Sequence, residues 1–145
     1  MNLVYNLLMI VENPPKTYHS KNTRIFSCQY HVIFCPKYRR PILVNDIAKT
    51  VEKEIRNGEK RGHYQIIAME IMPDHIHLLL DVDPDFGINS ALKWIKGRTA
   101  SVLNKRFPEL RKRLPCIWTR SKFICSVGAV SLDSIKHYIE RQKGK

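Results

Sequence analysis

The segment 63–83, HYQIIAMEIMPDHIHLLLDVD, contains two apolar runs separated by Pro73 and Asp74. Apolar runs interrupted by such a pair are typical of adjacent antiparallel strands joined by a short turn. On the second strand alternate residues share a face, so His75 and His77 project to one side and Ile76 to the other. The segment therefore predicts a β-hairpin that carries two imidazoles on one face.

The flanking segments predict one strand and two helices. From Arg24, RIFSCQYHVIFCPKYRRP is rich in aromatic and β-branched residues and predicts a strand that runs into a basic turn. VNDIAKTVEKEIRNGEKRG has apolar residues at helical spacing, with Asn45 as the predicted N-cap and Gly62 as the stop. INSALKWIKGRTASVLNKRF predicts a second, basic helix that ends before Pro108.

The rest of the chain adds a strand and a last helix. CIWTRSKFICSVG predicts the strand, and Ser131 is the expected cap of the helix LDSIKHYIERQ. This order predicts an α+β fold of the ferredoxin-like, RRM-like type: an antiparallel sheet with two helices on one face, plus a C-terminal helix. Residues 1–17 are expected to form an N-terminal arm and residues 18–145 a single domain.

The charge balance indicates a polyanionic partner. The 145 residues include 25 Lys and Arg against 13 Asp and Glu, a net charge of +12. Such an excess favours nucleic acid or an anionic membrane surface. The only long apolar stretch, MNLVYNLLMIV, is too short to span a membrane and lacks the features of a signal peptide. We therefore expect a cytoplasmic protein with no membrane partner.

Two pairs of residues have the chemistry of a catalytic site. His75 and His77 would stand roughly 6.5–7 Å apart at their Cα atoms, close enough to bind one divalent metal and leave positions open for a phosphate oxygen. Tyr138 and Gln142 are four residues apart on the last helix and share a face, where a tyrosine can attack phosphorus and an amide oxygen can bind the metal. The alternatives are exposed polar histidines and a tyrosine that covers the sheet.

Several blocks occur together in order: YHVIFCPKYRRPIL, MPDHIHLLL, WIKGRTASVL followed by FPEL, WTRSKFICSVG and IKHYIERQ. The set resembles the small single-tyrosine transposases of the HUH nuclease superfamily (TnpA type, insertion-sequence two-hundred-like). The resemblance implies that His75 and His77 hold Mg²⁺ or Mn²⁺ with Gln142 as third ligand. It also implies that Tyr138 cleaves single-stranded DNA, leaving a 5′-phosphotyrosine and a free 3′-hydroxyl, without a nucleotide cofactor.

The resemblance further implies partners. Such enzymes bind hairpins at the ends of their element and form homodimers in which the tyrosine helix of one subunit can complete the site of the other. On DNA the protein would be associated with the nucleoid. Basic residues then become candidates for phosphate contacts: Lys37, Arg39, Arg40, Lys93, Lys96 and Arg98. Three aromatic residues are candidates for stacking on bases: Tyr30, Tyr38 and Trp94.

Other functions fit parts of the pattern. A non-catalytic or domesticated hairpin-binding protein would grip single-stranded nucleic acid with its sheet and leave the histidines and Tyr138 without a shared purpose. A metal-dependent phosphodiesterase would use activated water and form no protein–DNA adduct. Loss or retention of cleavage in Tyr138→Phe distinguishes these alternatives.

Overall fold

The structure is a computed structural model that describes residues 19–21 and 24–127. Its strands are β1 (His19–Lys21), β2 (Arg24–Phe26), β3 (Gln29–Pro36), β4 (Tyr64–Met72), β5 (His75–Val82) and β6 (Trp118–Val127). Its helices are α1 (Asn45–Asn57), α2 (Glu59–Gly62), α3 (Ile88–Arg106) and α4 (Glu109–Arg113), and a 3₁₀ turn spans Lys37–Arg39. The predicted N-terminal arm and the last helix, with Tyr138 and Gln142, lie outside the described residues.

Four strands form one antiparallel sheet in the order β4-β5-β3-β6, and β1 pairs with β2 in a separate ribbon. The helical segment α1–α2 connects β3 to β4, and α3–α4 connects β5 to β6. Two strands that are connected by helices are therefore not neighbours in the sheet, because one other strand lies between them. This is the split βαβ order. The predicted α+β class and four-stranded antiparallel sheet are confirmed.

The β4–β5 hairpin turns at Pro73 and Asp74, as predicted, and its first pair across the strands is Met72 with His75. Because side chains alternate along a strand, the even-numbered residues of β5 all face one way. Ile76, Leu78, Leu80 and Val82 are each at most 1% exposed and belong to the main hydrophobic cluster. The odd-numbered residues, including both histidines, face the opposite side of the sheet.

Helices α1 and α3 cover the apolar face. The cluster contains Val51 and Ile55 from α1 and Leu92, Ile95 and Leu103 from α3, all fully buried. Each fully buried aliphatic side chain of this size contributes about 1.5–3 kcal/mol relative to exposure. This confirms two helices on one face and leaves the histidine face of the sheet free of them.

The indole of Trp118 and the side chain of Lys96 tie α3 to β6. Trp118 Nε1 donates to Thr99 Oγ1 at 2.9 Å, and Lys96 Nζ donates to the carbonyl of Thr119 at 2.7 Å. Both bonds satisfy polar groups at a helix–sheet contact, where an unpaired donor would be costly.

Two local predictions are wrong. The strand expected from Arg24 onward is interrupted after Phe26, and the long strand β3 begins at Gln29. Asn45 is the first residue of α1 rather than its N-cap, and Val44 precedes it without a side-chain cap. The entry to the helix is fixed instead by burial of Ile42 and Leu43 and by the bond from the Leu43 amide to the Pro73 carbonyl, 3.0 Å.

The first predicted helix, expected to end at Gly62, consists of two helices. Helix α1 ends at Asn57 with Gly58 as C-cap, and α2 then runs to Gly62, where His63 takes a left-handed conformation with φ 56°. Helix α3 ends at Arg106, and Pro108 is the N-cap residue of the short α4. Within the residues that the structure describes, none of the helices is both long and apolar enough to cross a membrane.

The junction of α1 and α2 is a notch that accommodates the indole of Trp94. A Cβ atom placed on Gly58 would overlap that ring and lie 2.7 Å from the hydroxyl oxygen of Tyr64. Gly62 likewise faces Tyr64 and Trp94. Trp94, a candidate for base stacking, is therefore committed to packing between helices, which explains why glycine occupies both ends of α2.

We expect Gly58→Ala to lower the free energy of unfolding by about 1–3 kcal/mol, because overpacking at this notch forces Trp94 to move. Gly97→Ala is the matched control. Gly97 lies exposed on α3 with no atom within 4 Å of a built Cβ, so alanine should raise stability by about 0.5–1 kcal/mol. Urea unfolding of both variants measures the difference. Equal effects of the two substitutions on the free energy of unfolding would show that Trp94 does not restrict the side chain at position 58.

Candidate active site

His75 and His77 lie side by side on the helix-free face of the sheet. Both are partly buried, and their ring centroids are 4.7 Å apart in an edge-to-face arrangement. The alternation of β5 sets this spacing, since Ile76 between them is fully buried in the core. The structure thus brings the two predicted metal ligands together.

A carboxylate holds the first imidazole. Nδ1 of His75 is 2.7 Å from Oδ1 of Asp74, and the other oxygen of Asp74 accepts from Nη2 of Arg39 at 3.1 Å. The hydrogen bond from His75 is the largest of several effects that lower the pKa of Asp74, so the group is a carboxylate at neutral pH. A carboxylate can only accept, which places the proton of a neutral His75 on Nδ1.

A third histidine contacts the second imidazole. Nδ1 of His77 is 3.4 Å from Nε2 of His31 on β3, and the two rings stack with centroids 5.6 Å apart. Burial, together with the nearby charges of His75 and His31, lowers the pKa of His77 to about 4. Burial also lowers the pKa of His31. His77 is therefore neutral at pH 7 and has a lone pair available for a metal ion.

The Nε2 atoms of His75 and His77 are the nitrogens left for a ligand. Within residues 19–21 and 24–127, neither has a hydrogen-bond partner, whereas each Nδ1 atom has one. Two imidazoles presented in this way are a suitable pair of ligands for a divalent metal ion.

Glu70 is a site residue that the sequence analysis missed. It pairs with His77 across the β4–β5 ladder and is 5% exposed. Its Oε2 atom has no hydrogen-bond partner in the described part of the chain, and burial raises the pKa of the carboxyl, an effect that the charge of His75 opposes. The hairpin register could have revealed it, because a turn at Pro73 and Asp74 places position 70 opposite position 77.

Phe123 is a second residue that was missed. It lies on β6, is 53% exposed, and its ring centroid is 6.1 Å from that of His31. Ile33 pairs with both Phe123 and His77, so the helix-free face carries one row across all four strands. In sheet order this row is Glu70, His77, Ile33 and Phe123.

The predicted basic turn follows β3 and lies beside the hairpin turn. Lys37 is partly exposed and Tyr38, Arg39 and Arg40 are exposed, and Lys37 Nζ is 5.3 Å from the ring centroid of Tyr38. Tyr38 and Arg39 both have positive φ, 60° and 50°, which turns the chain sharply. Arg39 is the member of this turn that reaches the site, through Asp74.

The other predicted DNA contacts lie on α3, across the sheet from the histidines. Lys93 is exposed, and Arg98 is paired with Glu54 of α1 at 3.2 Å. Lys96 is partly buried and bonded to Thr119, so it holds the fold together. Tyr30 also lies on the helix side, packed against the core. Of the six predicted phosphate contacts, the structure therefore links Arg39 to the histidine pair, through Asp74.

No group of three or more His, Cys, Asp or Glu residues within the described ranges is arranged to hold a metal ion on its own. The two imidazoles, with the buried Glu70 oxygen that has no partner among the described residues, still fit a divalent cation that has a further ligand. The chemistry of the donor set fits the predicted metal, for which the two imidazoles would be ligands.

This fold is shared with transposases of known structure. A proposed transposase from Deinococcus radiodurans R1 matches with a TM-score of 0.69 and 29% identity, over 86% of this chain and 97% of that chain. A REP-associated tyrosine transposase solved with a REP hairpin matches with a TM-score of 0.55 and 15% identity, over 84% of this chain and 69% of that one. The second likeness concerns the fold alone.

Sequence comparison identifies the family. The model described as "Transposase IS200 like" matches residues 24–142. The ISDra2 transposase TnpA of Deinococcus radiodurans is 33% identical over 123 residues, which cover 83% of this chain and 88% of that protein. The transposase of insertion sequence element IS200 from Salmonella typhimurium is 31% identical, with 81% of each chain covered. The chain belongs to the IS200-like transposase family.

The lowered pKa of His77 predicts how stability depends on pH in the metal-free protein. The unfolded chain protonates this imidazole near pH 6.5, whereas the folded chain does so near pH 4. Protonation therefore favours unfolding: the contribution of His77 is complete above about pH 6.5 and is lost as the pH falls toward 4. Urea unfolding in EDTA between pH 7 and 4.5 should show a shallower loss for His77→Gln than for the wild type.

Glu70→Gln is a control that should change the pH dependence of stability in the opposite direction to His77→Gln. The pKa of Glu70 is raised, so ionisation of this carboxyl costs stability as the pH rises, and removing the charge should steepen the gain of stability with pH. A His77→Gln profile parallel to that of the wild type would show that this imidazole is not desolvated.

Proposed function

We propose that this transposase binds hairpins at the ends of its mobile element, and that it cleaves and rejoins single-stranded DNA in the cytoplasm. Tyr138 is the proposed nucleophile, through a 5′-phosphotyrosine. The observation that carries the proposal is the pair His75 and His77, with each Nδ1 held by a neighbour and each Nε2 left for a ligand. The matched family region extends to residue 142 and so includes Tyr138.

The proposed metal ligands are Nε2 of His75, Nε2 of His77 and the amide oxygen of Gln142. The pair of imidazoles alone leaves the coordination incomplete, which is what a site for a substrate phosphate requires. Mg²⁺ or Mn²⁺ bound there would polarise the scissile phosphate and offset the charge that develops on its oxygens. His31 would keep the ring of His77 in orientation.

The proposed chemistry conserves the number of ester bonds. The phenolate oxygen of Tyr138 attacks phosphorus, the bond from phosphorus to the 3′ oxygen breaks, and that oxygen takes up a proton to become a free hydroxyl. A 3′-hydroxyl later attacks the phosphotyrosine in the reverse sense and releases Tyr138. Because one phosphodiester is exchanged for another, no ATP or other nucleotide cofactor is needed.

The proposed DNA partner follows from charge and position. The basic turn of Lys37, Arg39 and Arg40 is linked to His75 through the contact of Arg39 with Asp74, so it can hold phosphates that flank a scissile bond. A net charge of +12 favours association with a polyanion in general. The REP-associated transposase with the same fold was solved with a hairpin, which supports a hairpin as the ligand here.

A covalent adduct is the decisive test of this function. With Mg²⁺ or Mn²⁺ and labelled single-stranded oligonucleotides from hairpins flanking the gene, a denaturing gel should show protein joined to DNA. Tyr138→Phe, His77→Ala and EDTA should each reduce the adduct to background. Tyr30→Phe is the matched control and should retain it, since Tyr30 packs on the helix side of the sheet.

The outcomes separate the candidate functions. Cleavage that persists in Tyr138→Phe would show a phosphodiesterase that uses water. Salt-sensitive binding to the hairpin with no adduct under either metal would show a non-catalytic binding protein.

We also propose a homodimer whose sites are completed by the tyrosine helix of the other subunit. Neither His75→Ala nor Tyr138→Phe should cleave alone. Mixed and allowed to exchange subunits, the two variants should recover cleavage, because one site of a heterodimer then has both intact histidines and an intact tyrosine. The measurement is adduct formation after mixing. No recovery, with heterodimers demonstrated by a tagged pull-down, would place each site within one chain.

A further inference from the structure

Asp74 joins the basic turn to the first proposed metal ligand. Its Oδ1 atom is 2.7 Å from Nδ1 of His75, and its Oδ2 atom is 3.1 Å from Nη2 of Arg39. The side chains become less exposed along this series, from 68% for Arg39 through 35% for Asp74 to 22% for His75. The contacts therefore run from the surface inward to the imidazole.

The backbone on both sides of these contacts is fixed. Asp74 occupies the hairpin turn, where the carbonyl of the preceding Pro73 accepts from the amide of Leu43, a residue that is 2% exposed. Arg39 lies in the sharp turn after β3, with φ 50°. Neither side chain reaches its partner from a freely moving loop, so the two bonds are set by the fold.

We propose that Asp74 is a positioning residue for His75, and that Arg39 acts through Asp74 as well as on DNA. The carboxylate accepts a hydrogen bond from Nδ1–H and so directs the lone pair of Nε2 toward the metal position, as carboxylates behind ligand histidines do elsewhere. Arg39 holds the second oxygen and stops the carboxylate from rotating away. This inference rests on the proposed metal site and adds the groups that orient one of its ligands.

Aspartate suits this position because it accepts at both ends. A carboxylate has two oxygens and only acceptor sites, so it can bond the His75 Nδ1–H and the Arg39 guanidinium at once. Asparagine has one oxygen and one amino group. In Asp74→Asn the oxygen can still accept from His75, but the amino group then faces Arg39, donor against donor.

The test uses the full-length, DNA-free protein, so that any effect of Arg39 on DNA binding does not enter. The variants are Asp74→Ala, Asp74→Asn and Arg39→Ala. The matched control is Arg56→Ala. Arg56 forms a comparable exposed ion pair with Glu52 at 3.2 Å, and both residues lie on α1, on the other side of the sheet from the histidines. Two quantities are measured: Mn²⁺ affinity by calorimetry, and the tautomers of His75 and His77 by ¹H–¹⁵N NMR in EDTA.

We expect Asp74→Ala to lower Mn²⁺ affinity by about 10- to 100-fold, the usual effect of removing a group behind a ligand histidine. Asp74→Asn and Arg39→Ala should cause smaller losses, and Arg56→Ala none. In EDTA, His75 should carry its proton on Nδ1 in the wild type and shift toward Nε2 in Asp74→Ala. The His77 tautomer should not change, because His31 holds that ring, and this excludes general unfolding as the cause.

Asp74→Ala with an unchanged His75 tautomer and an unchanged Mn²⁺ affinity would overturn the positioning role. Failure of the proposed metal site has a different signature, namely wild-type protein that binds Mn²⁺ no better than His75→Ala does. The tautomer measurement requires no metal, so the two failures are distinguishable.

Discussion

The register of the β4–β5 hairpin is the constraint on which the rest of the structure depends. The turn at Pro73 and Asp74 pairs Met72 with His75, and from there the two-residue period sends Ile76 and Leu78 into the core and both histidines to the other face. A slip of one residue would exchange the two faces, burying imidazoles under the helices and exposing the aliphatic set. Stability and site geometry thus depend on the same set of strand pairs.

The face of the sheet that the helices leave uncovered carries ionisable groups whose pKa values are shifted. The histidine face is desolvated enough to lower the pKa of His77 to about 4 and to raise that of Glu70, yet both histidines remain partly exposed. The imidazoles of His75 and His77 and the buried oxygen of Glu70 are groups that can each bind a cation. The burial that lowers the pKa of His77 costs stability at low pH and keeps this proposed ligand neutral at pH 7.

Much of the fold and part of the candidate site could be predicted from the sequence, because the alternation of apolar and polar residues and the helical spacing of apolar residues are local patterns. They gave the hairpin, α1, α3 and the shared face of His75 and His77. They could not give Phe123 or His31, which join the site through pairing between strands distant in sequence, whereas Glu70 could have been found by counting the hairpin register back from the turn. Asn45 failed as a cap for a similar reason, since contacts of Leu43 with the hairpin turn decide where the helix begins. Trp94 and Lys96 were expected on the exposed surface of α3. In the structure Trp94 packs against α2, and Lys96 is hydrogen-bonded to Thr119 of β6.

The notch at Gly58 also limits how the sequence of this fold can diverge. The indole of Trp94 occupies the space in which any side chain at position 58 would begin. A larger residue at 58 becomes acceptable only after position 94 has become smaller, and a smaller residue at 94 leaves a cavity until position 58 fills it. Across homologous chains, these two positions should therefore change together, because their contact is one of packing alone.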